Sequence, residues 1–313
     1  MSNPVKLAAI GLAAVVIAAC SGTSSTNSVL PTAGGLSQMS VTHGGGVAMD
    51  LSHVHVMGTV ANHIVAGAHP DIQLNYYGGP VEPPGVVYVV YWGFGKSGSD
   101  PSGEQKYLTN FLKGVGGSKW ENINSQYYQK VGSKKTFIKN NTGMLKGTWV
   151  DKSAIPTAPS DAQIQAEAQK AMAHFGFNKN ASYVVATSHS HNSPGFGSSY
   201  CAYHGASNGS KGIISYTNLP YMTDAGANCG ESFINPGSKG LLDGVSIVEG
   251  HEFAESRTDP QPPTAWYNPS YGEIGDICAW MKPPAGNIKL STGTFAVQGL
   301  FDNKKSACEI SGP

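Results

Sequence analysis

The sequence predicts an α+β fold, a mixed sheet with helices packed on it, carried by residues 75–313. Two observations predict it. β-branched and aromatic runs, chief among them Val86-Val-Tyr-Val-Val-Tyr-Trp92, have the composition of buried strands and end in turn residues. Between and after them come longer segments whose apolar residues recur three and four apart, the spacing of a helix with one buried face. Composition narrows the class. Charged residues are 13% of the chain, the formal net charge is +0 and there are 40 glycines, a profile of a loop-rich exported domain with no basic patch for nucleic acid. Roughly 240 residues suffice for one sizeable core.

The chain opens on processing signals. Residues 1–19 read as a signal peptide, because Lys6 precedes an apolar run from Leu7 to Ala19 that is too short to span a bilayer. The run ends Ile17-Ala-Ala-Cys20, which resembles the bacterial lipobox, where the cysteine is lipidated and becomes the mature N-terminus. Ser21 in place of an Asp favours the outer membrane or cell surface. Residues 20–74 follow as a lipidated Cys20 and a flexible tether rich in Gly, Ser and Thr. His43, His53, His55, His63 and His69 are taken there as scattered tether histidines and not as chelators.

Within the domain, Val86–Trp92 is the first buried strand. Ser102 to Val115 sets Tyr107, Leu108, Phe111 and Leu112 on one side of a helix, with Ser102 as its cap. Asp161 to Phe175 does the same through Ile164, Ala168, Ala171 and Phe175. Ser182–Thr187 and Gly212–Thr217 are further strands, and Thr294 to Leu300 is the last. Leu241, Leu242, Val245 and Val248 form an apolar helical stripe that lands, three residues on, at His251.

That helix carries the chemistry, in Val248-Glu-Gly-His-Glu-Phe-Ala-Glu-Ser-Arg-Thr-Asp-Pro260. His251 and Glu255 stand four apart and project from one helix face. The zinc-protease motif H-E-x-x-H presents two ligands in this way and leaves the intervening Glu free as general base. Here the second ligand is Glu255, and Glu252 is cast as the base acting on a metal-activated water. Gly272-Glu-Ile-Gly-Asp-Ile-Cys278 supplies Glu273 as third ligand and Asp276 as a further ligand or as the group orienting an imidazole. Asp259 is the rival third ligand, although Pro260 marks the helix end. Two Glu and one His make a harder, more anionic site than the usual two-His set, which lowers selectivity for Zn²⁺ and admits Ca²⁺ or Mn²⁺. His204, read in a Tyr203-His204-Gly205 turn, is a candidate catalytic oxyanion or ligand group, or simply a hydrogen-bonded turn histidine. His189 and His191 are read as solvated loop residues. The layout is thus zincin-like, with the motif helix following an edge strand, residues 212–217, that lines the substrate cleft.

Setting Cys20 aside leaves Cys201, Cys229, Cys278 and Cys308, an even set in a chain bound for an oxidising compartment. Three pairings are open. Order and spacing favour Cys201 with Cys229 and Cys278 with Cys308, each loop of about thirty residues being worth roughly 3–4 kcal/mol on the chain-entropy model. Zinc binding by these four lacks a C-x-x-C pair. Gly205-Ala-Ser-Asn-Gly209 fits G-x-S-x-G, but the strand before and helix after that a nucleophile elbow needs are not read there. Glu252 and Glu255, one turn apart on one helix, are poorly placed to flank a glycosidic bond.

Several separated motifs carry a resemblance. Asn75-Tyr-Tyr-Gly-Gly-Pro-Val81 leads into Tyr91-Trp-Gly93, and Cys201-Ala-Tyr-His-Gly205, Cys229-Gly230, Thr258-Asp-Pro260, Cys278 and Cys308 follow in order. From about Leu74 to the end the chain resembles the EXORDIUM / phosphate-induced protein family. Plant members are cell-wall or apoplastic proteins linked to growth and lack the His-Glu pair. Bacterial relatives carry a His-Glu-x-x-Glu…Thr-Asp-Pro…Glu-Ile-Gly-Asp-x-Cys pattern, as this chain does. The expectation is an exported, lipid-anchored, monomeric metal-dependent peptidase acting on peptide or protein substrates. The alternative is a non-enzymatic EXORDIUM-like surface protein with a structural or vestigial metal site.

Overall fold

The computed structural model describes residues 40–41, 49–63 and 72–312. The expected signal peptide, Cys20, most of the expected tether, and His43 and His69 lie outside the described residues.

Six strands form the main sheet: β1 (Val54–Gly58), β2 (Val86–Trp92), β3 (Leu145–Asp151), β4 (Ala181–Thr187), β5 (Tyr200–Gly209) and β6 (Gly212–Leu219). Their spatial order is β1-β5-β6-β4-β2-β3. β6, β4, β2 and β3 pair in parallel, while β5 is antiparallel to both β6 and β1. The sheet is mixed, as expected. β2 and β4 are apolar along nearly their whole length because helices cover both faces, the usual state of parallel strands. Val87, Val89 and Tyr91 of β2 face one core, and Val86, Val90 and Trp92 face the other.

Three helices supply that cover. α1 (Glu104–Val115) buries Leu108, Phe111, Leu112 and Val115 in the first core, and α3 (Asp243–Thr258) adds Val245, Val248 and Phe253 to it. α2 (Asp161–Phe175) covers the opposite face with Ile164, Ala168, Ala171 and Met172. The cap of α1 is not Ser102. Asp100 does that work, accepting from the Glu104 N–H at 2.7 Å and the Gln105 N–H at 3.3 Å, while the Ser102 hydroxyl pairs with Thr223 Oγ1 at 3.0 Å. A carboxylate at a helix N-terminus meets both the free amides and the helix dipole.

Several expectations change. The strand at 212–219 is not an edge, because β5 and β4 flank it on either side. The Tyr203-His204-Gly205 stretch, read as a turn, lies inside the long strand β5, which pairs with β6 in a hairpin. The edge beyond β5 is β1, which comes from the stretch expected as tether. The two disulfides, Cys201–Cys229 and Cys278–Cys308, pair as expected. The first ties β5 to the turn ahead of α3, and the second ties the loop after α3 to the C-terminal strand Ala307–Glu309. The expected last strand is split in two, Gly293–Val297 and Leu300–Asp302. The first of these packs on α3, where Ser246 Oγ donates to the Ala296 carbonyl at 2.6 Å.

Candidate metal centre

Every residue of α3 from Asp243 to Thr258 is buried, its charged side chains included. A carboxylate held this way needs a partner, since taking an unpaired charge out of water is costly. Arg257, itself fully buried, contacts Glu121 and donates from Nη2 to the Lys139 carbonyl at 3.1 Å and from Nε to the Glu82 carbonyl at 3.2 Å. It anchors the end of α3 away from the cluster described next.

On the sheet-facing side, His251 Nε2 lies 3.1 Å from Glu255 Oε1, as the four-residue spacing requires. The same Oε1 accepts the Gly275 and Asp276 N–H groups, each at 3.1 Å, from the loop that follows the helix. Gly275 permits that approach. A Cβ there would fall 2.6 Å from His251 Nδ1 and 2.9 Å from Glu255 Oε1. The loop also delivers Glu273 and Asp276, and Asp276 Oδ2 accepts the Glu273 N–H at 2.8 Å.

The sheet supplies two more imidazoles. His204 on β5 and His55 on β1 are direct cross-strand partners, with ring centroids 5.8 Å apart. His204 Nδ1 lies 3.1 Å from Glu252 Oε2 and 3.6 Å from Glu255 Oε2, and its Nε2 is 3.6 Å from Glu273 Oε2. His55 Nε2 contacts Asp276 Oδ2, and its Nδ1 is 3.5 Å from Glu273 Oε1. Asp276 Oδ1 is 3.6 Å from His251 Nε2, so Asp276 stands between two rings.

Five buried atoms here make no hydrogen bond: His251 Nε2, Glu252 Oε1, Glu255 Oε2 and both carboxylate oxygens of Glu273. Three ligand sets, His55/Glu255/Asp276, His204/Glu255/Glu273 and His251/Glu252/Glu255, each bring their donor atoms within 4.8 Å of one another. Imidazole and carboxylate donors converging with lone pairs unused suit a divalent cation. These buried groups can hold a metal ion.

The electrostatics agree. Burial, only partly offset by His251 and His55, pushes the Glu252 carboxyl up to about 8. Burial and the neighbouring Asp259 and Glu255 hold Glu273 well above the usual carboxylate range. Burial works against a charge on His55 and His251, but Asp276 and Glu255 raise His55 to about 10, and Glu255 leads in raising His251 to about 9. Burial lowers His204 to about 4 despite Glu255. So much buried negative charge must be met by protons or by a cation.

The expected residues His251, Glu252, Glu255, Glu273, Asp276 and His204 are all brought together. His204 sits in a strand and not in a turn. Asp259 is close, but its carboxylate accepts the Thr264 N–H at 2.9 and 3.2 Å and is engaged in closing its own turn. His189 pairs with Asp224 at 2.5 Å, His191 with the Pro156 carbonyl at 2.9 Å and His53 with Asp161 at 2.7 Å, all away from the cluster. The residue missed is His55. The alternation Val54-His-Val-Met57 was the available signal, since a period of two puts His55 and Met57 on one strand face. Comparison of the chain with protein-family models, with curated proteins and with solved structures finds no match.

Proposed function

We propose that this chain is a zincin-like, metal-dependent peptidase, exported and lipid-anchored through Cys20, and a bacterial relative of the EXORDIUM family. The observation that carries the reading is the set of buried ligand atoms without a hydrogen bond on His251, Glu252, Glu255 and Glu273, gathered around an H-E-x-x-E helix. His204, Glu255 and Glu273 would hold the ion, with His251 paired to Glu255 beside them and Asp276 steadying the His251 and His55 rings. A bound Zn²⁺, or Ca²⁺ or Mn²⁺ in its place, would act as a Lewis acid, polarising the scissile carbonyl and acidifying water. Glu252 does the proton work. Its carboxylate takes a proton from the water that adds to the carbonyl carbon and returns it to the amine nitrogen as the C–N bond breaks. Burial raises the Glu252 carboxyl in the metal-free chain, and the charge of a bound cation would draw it back toward the ionised form that can take the proton.

One observation favours a second reading. His204, His251, Glu252 and Glu255 are each 0% exposed, and structural metal sites are closed where catalytic ones keep an open position. On that reading the cluster braces a non-enzymatic surface protein. Glu252→Gln separates the two. A peptidase should retain its metal while hydrolysis of unfolded protein substrates drops by roughly 10²–10⁴-fold. Cleavage at the parental rate would remove Glu252 from the mechanism. A metal-bearing parent that cleaves nothing across a broad peptide library would leave the structural site.

A further inference from the structure

β1 lies where an extended peptide would add to the sheet. Without it β5 would be the sheet's edge beside the cluster, because β6 covers only its other side. An exposed strand edge recruits extended polypeptide through its unpaired main-chain groups. β1 runs antiparallel to β5, with Val54 opposite Gly205, His55 opposite His204 and Met57 opposite Ala202. Its side chain at position 55 enters the cluster and meets Asp276 and Glu273.

Exposure shows which side of the cluster this closes. The side chains of His204, His251, Glu252 and Glu255 are 0% exposed, whereas His55 is 13% and Asp276 9% exposed. The approach from solvent therefore runs past His55. The strand is held there by Leu51, Val54 and Met57, all buried in the cores, and by the Trp280 indole, which donates to the Gly58 carbonyl at 2.9 Å.

We propose that β1 is a built-in competitor: it takes the edge of β5 that an extended polypeptide substrate would pair with, and His55 closes the metal cluster against it. This rests on the peptidase reading and names both its substrate form and its restraint. A strand of this kind lowers the fraction of molecules open to substrate, and taking away the His55 contacts that tie it to Asp276 and Glu273 weakens its hold on the edge and raises that fraction.

The test uses the full-length chain loaded with Zn²⁺, in its parental form and as His55→Ala and His55→Asn. Metal content, circular dichroism, acetohydroxamate binding and hydrolysis of an unfolded protein substrate are measured on each. Because His55 lies outside the proposed ligand set, the expected result is unchanged metal content and fold, hydroxamate bound more tightly, and hydrolysis faster by ~10-fold or more. Loss of metal, fold or activity in both variants would make His55 a resident ligand and β1 an ordinary strand, overturning the proposal. Unchanged hydroxamate affinity and hydrolysis would overturn it as well. Tighter hydroxamate binding with no hydrolysis in any form would uphold the closure by His55 and sink the peptidase reading instead.

Discussion

Stripping divalent cations from this protein should make its stability fall as pH rises through neutrality. Glu252 gives the size of the effect. Its carboxyl titrates near 8 in the folded chain against an ordinary 4.5. Below 4.5 both folded and unfolded states hold the proton, and stability is at its full value. Above that the unfolded chain sheds it while the folded chain keeps it, so stability is lost until pH passes 8. Between pH 6.5 and 8, at about 1.4 kcal/mol per pH unit, this group alone costs about 2 kcal/mol. His55 and His251, raised to about 10 and about 9, act in the same direction, because their contribution is complete below 6.5 and fades as pH climbs. His204, lowered to about 4, contributes fully above 6.5 and leaves the window unchanged. For a domain of this size 2 kcal/mol corresponds to a fall in Tm of about 4–8 °C. Calorimetry on chelator-treated protein at pH 6.5, 7.25 and 8 measures it, and Zn²⁺ added back should flatten the trend by replacing the protons. A metal-free Tm that holds steady or rises across the window would refute the account of the cluster as an over-charged cation site.

Two further outcomes follow from single residues. Gly275→Ala should lower metal content several-fold while leaving both disulfides intact, because its Cβ would strike His251 Nδ1; metal analysis and non-reducing peptide mapping check it, and normal metal content would show that the loop can yield. Cys20→Ala should shift the protein from the detergent-extracted membrane fraction to a soluble or unprocessed form, and unchanged partitioning would end the lipid-anchor proposal.

Much of this arrangement was legible in the sequence, for reasons that also explain the gaps. β2 and β4 announce themselves because parallel strands covered on both faces have few polar positions to blur the signal. The H-E-x-x-E helix is visible because a four-residue spacing maps directly onto one helix face. β5 was hidden because Gly205, Ser207, Asn208 and Gly209 are turn formers, and only the pairing with β6 and β1 overrides that preference. β1 was hidden because two histidines in a polar stretch look solvated until the carboxylates that face His55 are known. Those carboxylates arrive from the far end of the chain, and no local pattern can report them.

The distance in sequence has a consequence for how the site comes into being. His55 meets Asp276 across 221 positions, and His204 meets Glu252 across 48. The His55 half of the cluster does not exist until the last third of the chain has folded onto the first, a long-range closure that makes its completion slow. A cation that uses His55 and Asp276 would therefore have its site completed at the end of folding. Its identity is set by the ions at hand in the compartment where folding finishes, since donors of this kind rank divalent metals by affinity and not by need.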